Sequence, residues 1–402
     1  TYVHVACIRS AQVATYADRM QPVQSFRWLF VWAYRRPWSR QKSVPDLSTD
    51  FASGGYVERA LTSKVARMDA NLGHLLGSNR GFFSRAEAID SGETDRALAT
   101  ARREGLIVRL RRGMYAPADL YNASDDAGKH LLHARAALAA QQGRAALTGP
   151  SAAALHGFAL YQEDLTVVHL LRLDRGSSHH AAKINHHVVT QDIEDDLGIY
   201  HGVMAISPAR AVWEVACRSS LESGVVTADS ALYQDPQLRE ALEELQLRFA
   251  YFPGSRRGRL VIKLADPRAD TPGESVTRVQ FFRYGIPMPE LQYHVIDHHG
   301  VLVGISDFYW EQQRHLGEFD GMIKYQRLLR PGETVSECVI REKKREDAMR
   351  ADLRGMSRFI WPDVMPLRAR RTMADLAQAL DQSHRLYVRG RTIIASQSGI
   401  AS

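Results

Sequence analysis

The chain has 402 residues, 45% of them apolar and 24% charged, which suffices for two or three folded domains and excludes a disordered polymer. Its longest apolar stretch, around Phe26 to Tyr34, is broken by Arg27 and falls far short of the roughly 20 residues that cross a bilayer, so no membrane partner is expected. A net charge of +7 favours an anionic partner, while three scattered cysteines (Cys7, Cys217 and Cys338) exclude a disulfide framework or zinc finger and suit a reducing, cytoplasmic setting.

Residues 1–66 show no sustained period and hold a Trp/Arg cluster (Arg27, Trp28, Trp32, Arg35, Arg36, Trp38, Arg40) followed by a polar stretch from Ser43 to Gly55. They lack the small-residue cleavage site of a secretory signal and are expected to be a poorly ordered extension, with the native start at Met68.

From residue 69 to 120 the pattern becomes regular. Ser84-Arg-Ala-Glu87 is a capping-box sequence that opens a short helix, and Gly92 makes a turn. Thr94 then caps a second helix ending at Gly105. On this helix Leu98 and Ala101 face one way, and Arg96, Thr100 and Arg103 share the opposite side. Leu106 to Leu110 alternates like a strand, Arg111-Arg-Gly113 turns, and Met114-Tyr-Ala116 returns. Together these elements predict a winged helix-turn-helix, with a helical hairpin carrying solvated arginines as the plainer reading. Arg96, Thr100 and Arg103 would reach the major groove of double-stranded DNA, and Arg109, Arg111 and Arg112 would contact phosphate from the wing.

The run from Gly81-Phe-Phe-Ser-Arg-Ala-Glu-Ala to Arg112-Gly-Met-Tyr-Ala resembles the N-terminal winged helix of AbiEi-family antitoxins, which repress their own toxin operons. The resemblance implies a regulator with a cognate toxin as partner, and a homodimer would suit a repressor. It extends into an AbiEi-like middle domain, residues 129–255, through Thr148-Gly-Pro-Ser-Ala-Ala-Ala-Leu-His-Gly, Val167-Val-His-Leu170 and Ile206-Ser-Pro-Ala-Arg-Ala-Val-Trp-Glu-Val-Ala. These residues are suited to packing: Ala152 to Leu155 to a close-packed helix, and Thr166 to Leu171 to a buried strand. The pairs His179/His180 and His186/His187 lack a cysteine or carboxylate at ligand spacing and read as strand or loop histidines.

The last domain, residues 268–390, begins after the turn-rich Arg268-Ala-Asp-Thr-Pro-Gly273. Glu274 to Tyr284 predicts a helix with Val276, Val279 and Phe282 on its buried side. Strands follow at Leu291 to Asp297, Val301 to Trp310 and His315 to Asp320, with Gly300 in the first hairpin turn. A basic helix from Ser336 to Arg354 and a strand from Met356 to Trp361 complete an αβββαβ order. The fold class is therefore α/β (α+β): a winged helix-turn-helix, a mixed middle domain and this C-terminal core. Asp307 and Glu318 fall on neighbouring antiparallel strands, where both can project toward one end of the sheet, and Glu274 on the preceding helix can join them. Collecting such carboxylates is unfavourable unless a divalent cation offsets their repulsion, and oxygen ligands of this kind suit Mg²⁺ or Mn²⁺.

The order and the pieces Glu274-Ser-Val-Thr-Arg278, Pro289-Glu-Leu-Gln292, Asp307-Phe308, Glu318-Phe-Asp-Gly321, Lys324-Tyr325, Glu342-Lys-Lys-Arg-Glu346 and Arg354-Gly355 with Arg358 and Trp361 resemble Vsr-like endonuclease domains of the PD-(D/E)XK class. The resemblance implies a catalytic cluster of Glu274, Asp307, Glu318 and Asp320, with Asp307 and Glu318 as metal ligands and Glu274 as a helix-borne ligand or orienter. Asp320 stands where that superfamily has lysine, and Lys324 is the candidate to supply the cation. Each residue also has a plainer reading: Glu274 pairing with Arg278, Asp320-Gly321 as a turn, and Lys343, Lys344, Arg345, Arg350 and Arg354 as a solvated face or a DNA track. Three functions follow as alternatives: a DNA-docked, metal-dependent endonuclease in phage defence or repair, an antitoxin or repressor that keeps the nuclease fold as a scaffold, and a C-terminal domain that recognises a partner protein.

Overall fold

The computed structural model describes residues 81–174, 179–181, 183–188, 193–297, 299–321, 334–351 and 354–389. The extension 1–66, Met68 and Lys324 lie outside the described residues.

Local chemistry fixes the first region. Strand β1 (Phe83–Ser84) runs into α1 (Arg85–Asp90), followed by α2 (Asp95–Arg103), β2 (Ile107–Arg111) and β3 (Met114–Pro117). The Glu87 amide donates to Ser84 Oγ at 3.1 Å and the Ser84 amide to Glu87 Oε2 at 2.7 Å, which satisfies two orphan donors at the start of α1. Thr94 Oγ1 accepts from the Ala97 amide at 3.1 Å and caps α2. Gly92 (φ 93°) and Gly105 (φ 73°) take the left-handed conformations that stop the two helices. Phe83, Ala88, Leu98, Ala101 and Ile107 form the core. The strands lie in the order β1-β3-β2. A two-residue strand such as β1 carries no readable period, so sequence did not announce it.

Helices α3 (Ala118–Ala123) and α4 (Asp126–Ala139) lead into a six-stranded mixed sheet. Its strands are β4 (Ala145–Leu147), β5 (Val168–Arg172), β6 (His179–Ala181), β7 (Ile184–Val188), β8 (Leu197–Tyr200) and β9 (Val203–Ile206), in the order β6-β7-β5-β4-β9-β8. The paired histidines fall on β6 and β7, as expected of strand residues. Helix α5 (Gly149–Leu155) is buried along its whole length, in keeping with its alanines. Four more helices, α6 (Pro208–Arg218), α7 (Leu221–Gln234), α8 (Leu238–Arg248) and α9 (Ser255–Leu264), pack around Trp213. Every residue of α6 from Ala209 to Cys217 is buried, including Arg210, which pairs with Asp196 at 3.3 Å and Glu214 at 3.0 Å and lies 3.8 Å from the centre of the Phe249 ring. A buried guanidinium needs such compensation, because an unpaired one would pay the full desolvation penalty.

The C-terminal region runs α10 (Pro272–Arg283), β10 (Glu290–Ile296), β11 (Leu302–Trp310), β12 (His315–Phe319), α11 (Val335–Arg350) and β13 (Gly355–Phe359), which is the αβββαβ order. The sheet order is β10-β11-β12-β13, antiparallel for the first three strands and parallel between β12 and β13. Sequence placed Trp361 at the end of the last strand. It instead opens a short helix, α12 (Trp361–Val364), with Pro362 in the first turn where its missing N–H costs nothing, and α13 (Pro366–Ser383) follows.

Helix α10 departs from its expected amphipathic form. Phe282, expected inside, is 41% exposed, while Phe281 is fully buried, and every residue from Gly273 to Phe281 is buried. The helix lies between α7 of the middle region and the C-terminal sheet, so it has two apolar sides rather than one. A Cβ at residue 273 would collide with the Phe319 ring, so Gly273 lets the first turn of α10 rest on that strand. Phe281 packs on Phe308, Trp310 and Phe359 with ring centroids 5.2, 5.2 and 5.7 Å away. On its other side Arg278 pairs with the fully buried Asp229 of α7 at 2.8 Å, and Ser275 Oγ donates to the same carboxylate at 2.7 Å. This overturns the plainer reading in which Arg278 would pair with Glu274 one turn away on the same helix. Burial pushes the Asp229 carboxyl up to about 6 even against the pull of Arg278.

Candidate functional site

Two groups of charged residues stand out, one on the winged helix and one at an end of the C-terminal sheet. On α2, Leu98 and Ala101 point into the core, so the helix period turns Arg96 and Arg103 to solvent, with Thr100 half-buried beside them. Arg103 Nη2 lies 3.4 Å from Thr100 Oγ1, which links the middle and end of the exposed face. Asp95, in the first turn, holds Arg85 of α1 through a two-pronged pair at 2.6 Å and braces the two helices across their turn. Of the wing arginines, Arg109 and Arg112 are exposed. Arg111 is half-buried against a cavity beneath the wing, and this desolvation lowers the pKa of its guanidinium.

The four acidic candidates do not share one environment. The ladder between β11 and β12 ends at Phe308 and Gly317, and just beyond it the Asp307 carboxylate accepts from the Phe319 amide at 2.7 Å. Asp307 therefore supplies the acceptor that a continuing strand would have offered. Glu274 is buried at the start of α10. Its carboxyl accepts from Thr271 Oγ1 at 2.8 Å, the Asp270 amide at 2.9 Å and the Gln292 side chain at 3.1 Å. Gln292 adopts φ 53°, a backbone region that costs a non-glycine residue energy, while its amide meets Glu274. Burial, followed by repulsion from Asp307, raises the pKa of Glu274 well above the usual carboxylate range. Glu274 and Asp307 are thus electrostatic neighbours.

Glu318 is occupied differently. Directly across the parallel ladder from it is Arg358. One Glu318 oxygen pairs with Arg345 of α11 at 3.1 Å and the other with Arg358 at 3.2 Å. Arg358 also pairs with Asp320 at 3.0 Å and with Glu346 at 3.0 Å. Sequence reasoning took Arg345 for part of a solvated face or a DNA track and gave Arg358 no role beyond its place among the Vsr-like pieces. A signal existed for Arg358, because alternation on the edge strand β13 puts it on the opposite side from the buried Phe359, where the Glu318 carboxylate of the neighbouring strand lies in register with it.

A Mg²⁺ or Mn²⁺ ion would need several carboxylate oxygens turned to one point. Here both Glu318 oxygens face guanidinium groups and both Glu274 oxygens accept protein hydrogen bonds. Among the described residues no three His, Cys, Asp or Glu side chains stand together as a metal-binding group. The donor set as arranged does not fit a divalent ion, and two arginines neutralise part of the charge that a metal would have met.

Residues 74–118 match the family model described as transcriptional regulator, AbiEi antitoxin. Uncharacterized proteins from two strains of Mycobacterium tuberculosis, CDC 1551 / Oshkosh and ATCC 25618 / H37Rv, are each 33% identical over 125 residues, or 30% of this chain. The chain spans 44% of the length of these curated relatives. The crystal structure of the RV2827C protein from Mycobacterium tuberculosis aligns over 48% of this chain and 80% of its own, at 19% identity and a TM-score of 0.31, too low to carry an argument. Among the described residues no helix is long and apolar enough to cross a membrane.

Proposed function

We propose that the chain is a DNA-binding transcriptional regulator of the AbiEi antitoxin type, with double-stranded DNA as its ligand and a toxin protein as its partner. The observation that carries this reading is the coincidence of the regulator match over residues 74–118 with an α2 whose Arg96 and Arg103 face solvent, opposite a complete apolar core. In this reading α2 enters the major groove and Arg109 and Arg112 hold the flanking phosphates. The test is fluorescence anisotropy with duplex DNA from the region upstream of the protein's own reading frame. Wild type should bind it more tightly than a scrambled duplex. Equal affinity of the Arg96→Ala/Arg103→Ala variant would reject α2 as the reader.

A second reading, metal-dependent phosphodiester hydrolysis by the C-terminal domain, is favoured by the αβββαβ order and by the closeness of Glu274 to Asp307 at the fork of β11 and β12. Against it stands the double arginine pairing of Glu318. Supercoiled plasmid with Mg²⁺ or Mn²⁺ separates the two. Nicking that disappears in Asp307→Ala and Glu318→Ala would establish hydrolysis, and its absence would leave the domain as a scaffold within the regulator.

A further inference from the structure

Beneath the wing lies a cavity of about 620 Å³, within the roughly 300–1,000 Å³ range of small-ligand sites. Its walls come from β2 of the wing, from α3 and α4, from the segment Glu163–Thr166 and from the start of β7, so it sits where the winged helix meets the middle region. Such junctions are preferred ligand sites.

The cavity is lined by three cations, Arg111, Lys129 and Lys183, and among the described residues none of them is in an ion pair. Two lining carboxylates are already engaged. Glu163 accepts from Ser223 Oγ at 2.5 Å, and Asp164 accepts from the Thr166 amide at 2.9 Å. Asp126, in the exposed first turn of α4, completes the acidic lining. The lining cations act on both a base and an acid: burial and then the nearby Lys183 and Arg111 depress the pKa of His133, against the opposing pull of its hydrogen bond to the Leu110 carbonyl, and Lys183 adds to the hydrogen bonds from Thr166 that hold the Asp164 carboxyl low. With His133 Nδ1 donating to the Leu110 carbonyl at 3.1 Å, the neutral ring accepts at Nε2 from Tyr121 Oη at 3.2 Å. Lys183 adopts φ 65°, a costly conformation for a non-glycine residue, at the turn between β6 and β7. Leu110, Leu165 and Val168 give the same space an apolar side, with the Tyr121 ring beside Lys129.

We propose that this cavity binds a small organic anion, one carboxylate or phosphate group held by Arg111, Lys129 and Lys183 and an apolar or aromatic body lying against Leu110, Leu165 and Tyr121. Arg111 ends β2, and His133 ties the Leu110 carbonyl to α4, so an anion drawing on Arg111 acts on the wing itself. The site's existence stands on the cavity alone. Its effect on DNA rests on the regulator reading above.

The test is calorimetry of the full chain with inorganic phosphate, benzoate and adenosine 5′-monophosphate, beside a Lys129→Gln/Lys183→Gln variant whose thermal melt matches wild type. Benzoate or adenosine monophosphate should saturate a single site at sub-millimolar to millimolar concentration and bind the variant about ten-fold or more weakly, because two of the three charge partners are gone. Saturation by phosphate alone would assign an anion pocket without selectivity for an organic body and overturn the ligand class. No saturable binding by any probe, or undiminished binding to the variant, would overturn the site. DNA anisotropy with and without saturating probe then reads the coupling. A shift of about three-fold or more in DNA affinity supports it, and an unchanged affinity in a chain that binds both probe and DNA refutes the coupling while leaving the site in place.

Discussion

In the winged helix the α2 arginines stand outside a small apolar core, whereas in the C-terminal sheet the acidic residues turn toward amides and guanidinium groups. Arg96 and Arg103 face water, and the Arg85–Asp95 pair is solvent-exposed on both sides. Glu274 and Glu318 are each only 4% exposed, and Asp229 is completely buried. The same residue types therefore serve opposite ends. Outside, a charge costs the fold little and is available to a partner. Inside, its partner has already been chosen, and removing either member strands the other in a poor solvent.

The largest effect expected from this contrast lies at the Asp229–Arg278 pair. Replacing Arg278 by Ala should cost on the order of 3–5 kcal/mol in urea unfolding, since a buried carboxylate is left without its cation. A loss below about 1 kcal/mol would mean that water reaches Asp229 on little relaxation. The pH dependence sharpens the point. A carboxyl raised from its ordinary 3.8 to about 6 in the folded chain favours folding most below the lower value, and that contribution is lost as pH rises through about 6. In Asp229→Asn the fall in stability over this window should flatten. An unchanged slope would assign the dependence to another group.

Next in size is the α2 face. Removing Arg96 and Arg103 together should weaken DNA binding by about 1–3 kcal/mol for each base edge that they read, and should reduce the salt slope by about 1 for each phosphate that they neutralise. Their exposure predicts that the variant melts with wild type, which distinguishes this region from the C-terminal one.

Glu318→Gln should cost less than the buried pair, about 1–2 kcal/mol, because Arg345 and Arg358 are partly exposed and water can recover some of their solvation. A stabilised variant would show that the arginines oppose one another more than they bind the carboxylate. The smallest change is Thr94→Ala at the cap of α2, expected to lose about 1 kcal/mol of stability while leaving the arginine face chemically intact.

The two regions also differ in how far their sequences could be read. The winged helix is built from neighbours in sequence: the Ser84–Glu87 capping box, the Thr94 cap and the glycines at 92 and 105 each announce a local conformation, and all are found. The C-terminal strand order and the Gly300 hairpin were also legible, since alternation and turn residues are local signals. What escaped were relations across the chain. Arg278 finds Asp229 rather than Glu274, and Glu318 faces Arg345 and Arg358 rather than joining Glu274 and Asp307 in one cluster. Nothing in a strand's period says which helix will lie above it. Helix α10 shows the limit most clearly, because a helix buried on two sides loses the one-sided period from which Phe282 was expected inside.

That same helix decides how the chain can be divided or recombined. With Arg278 anchored in α7 and Phe281 wedged among the rings of the sheet, α10 belongs to two cores at once. A fragment ending before Pro272 would keep a buried acid with no counter-charge, and one beginning there would carry a buried arginine into water beside bare apolar surface. The C-terminal domain can be exchanged for a related one only if the newcomer brings its own arginine to meet Asp229. The boundary in sequence near residue 268 is therefore not a line along which the two cores come apart.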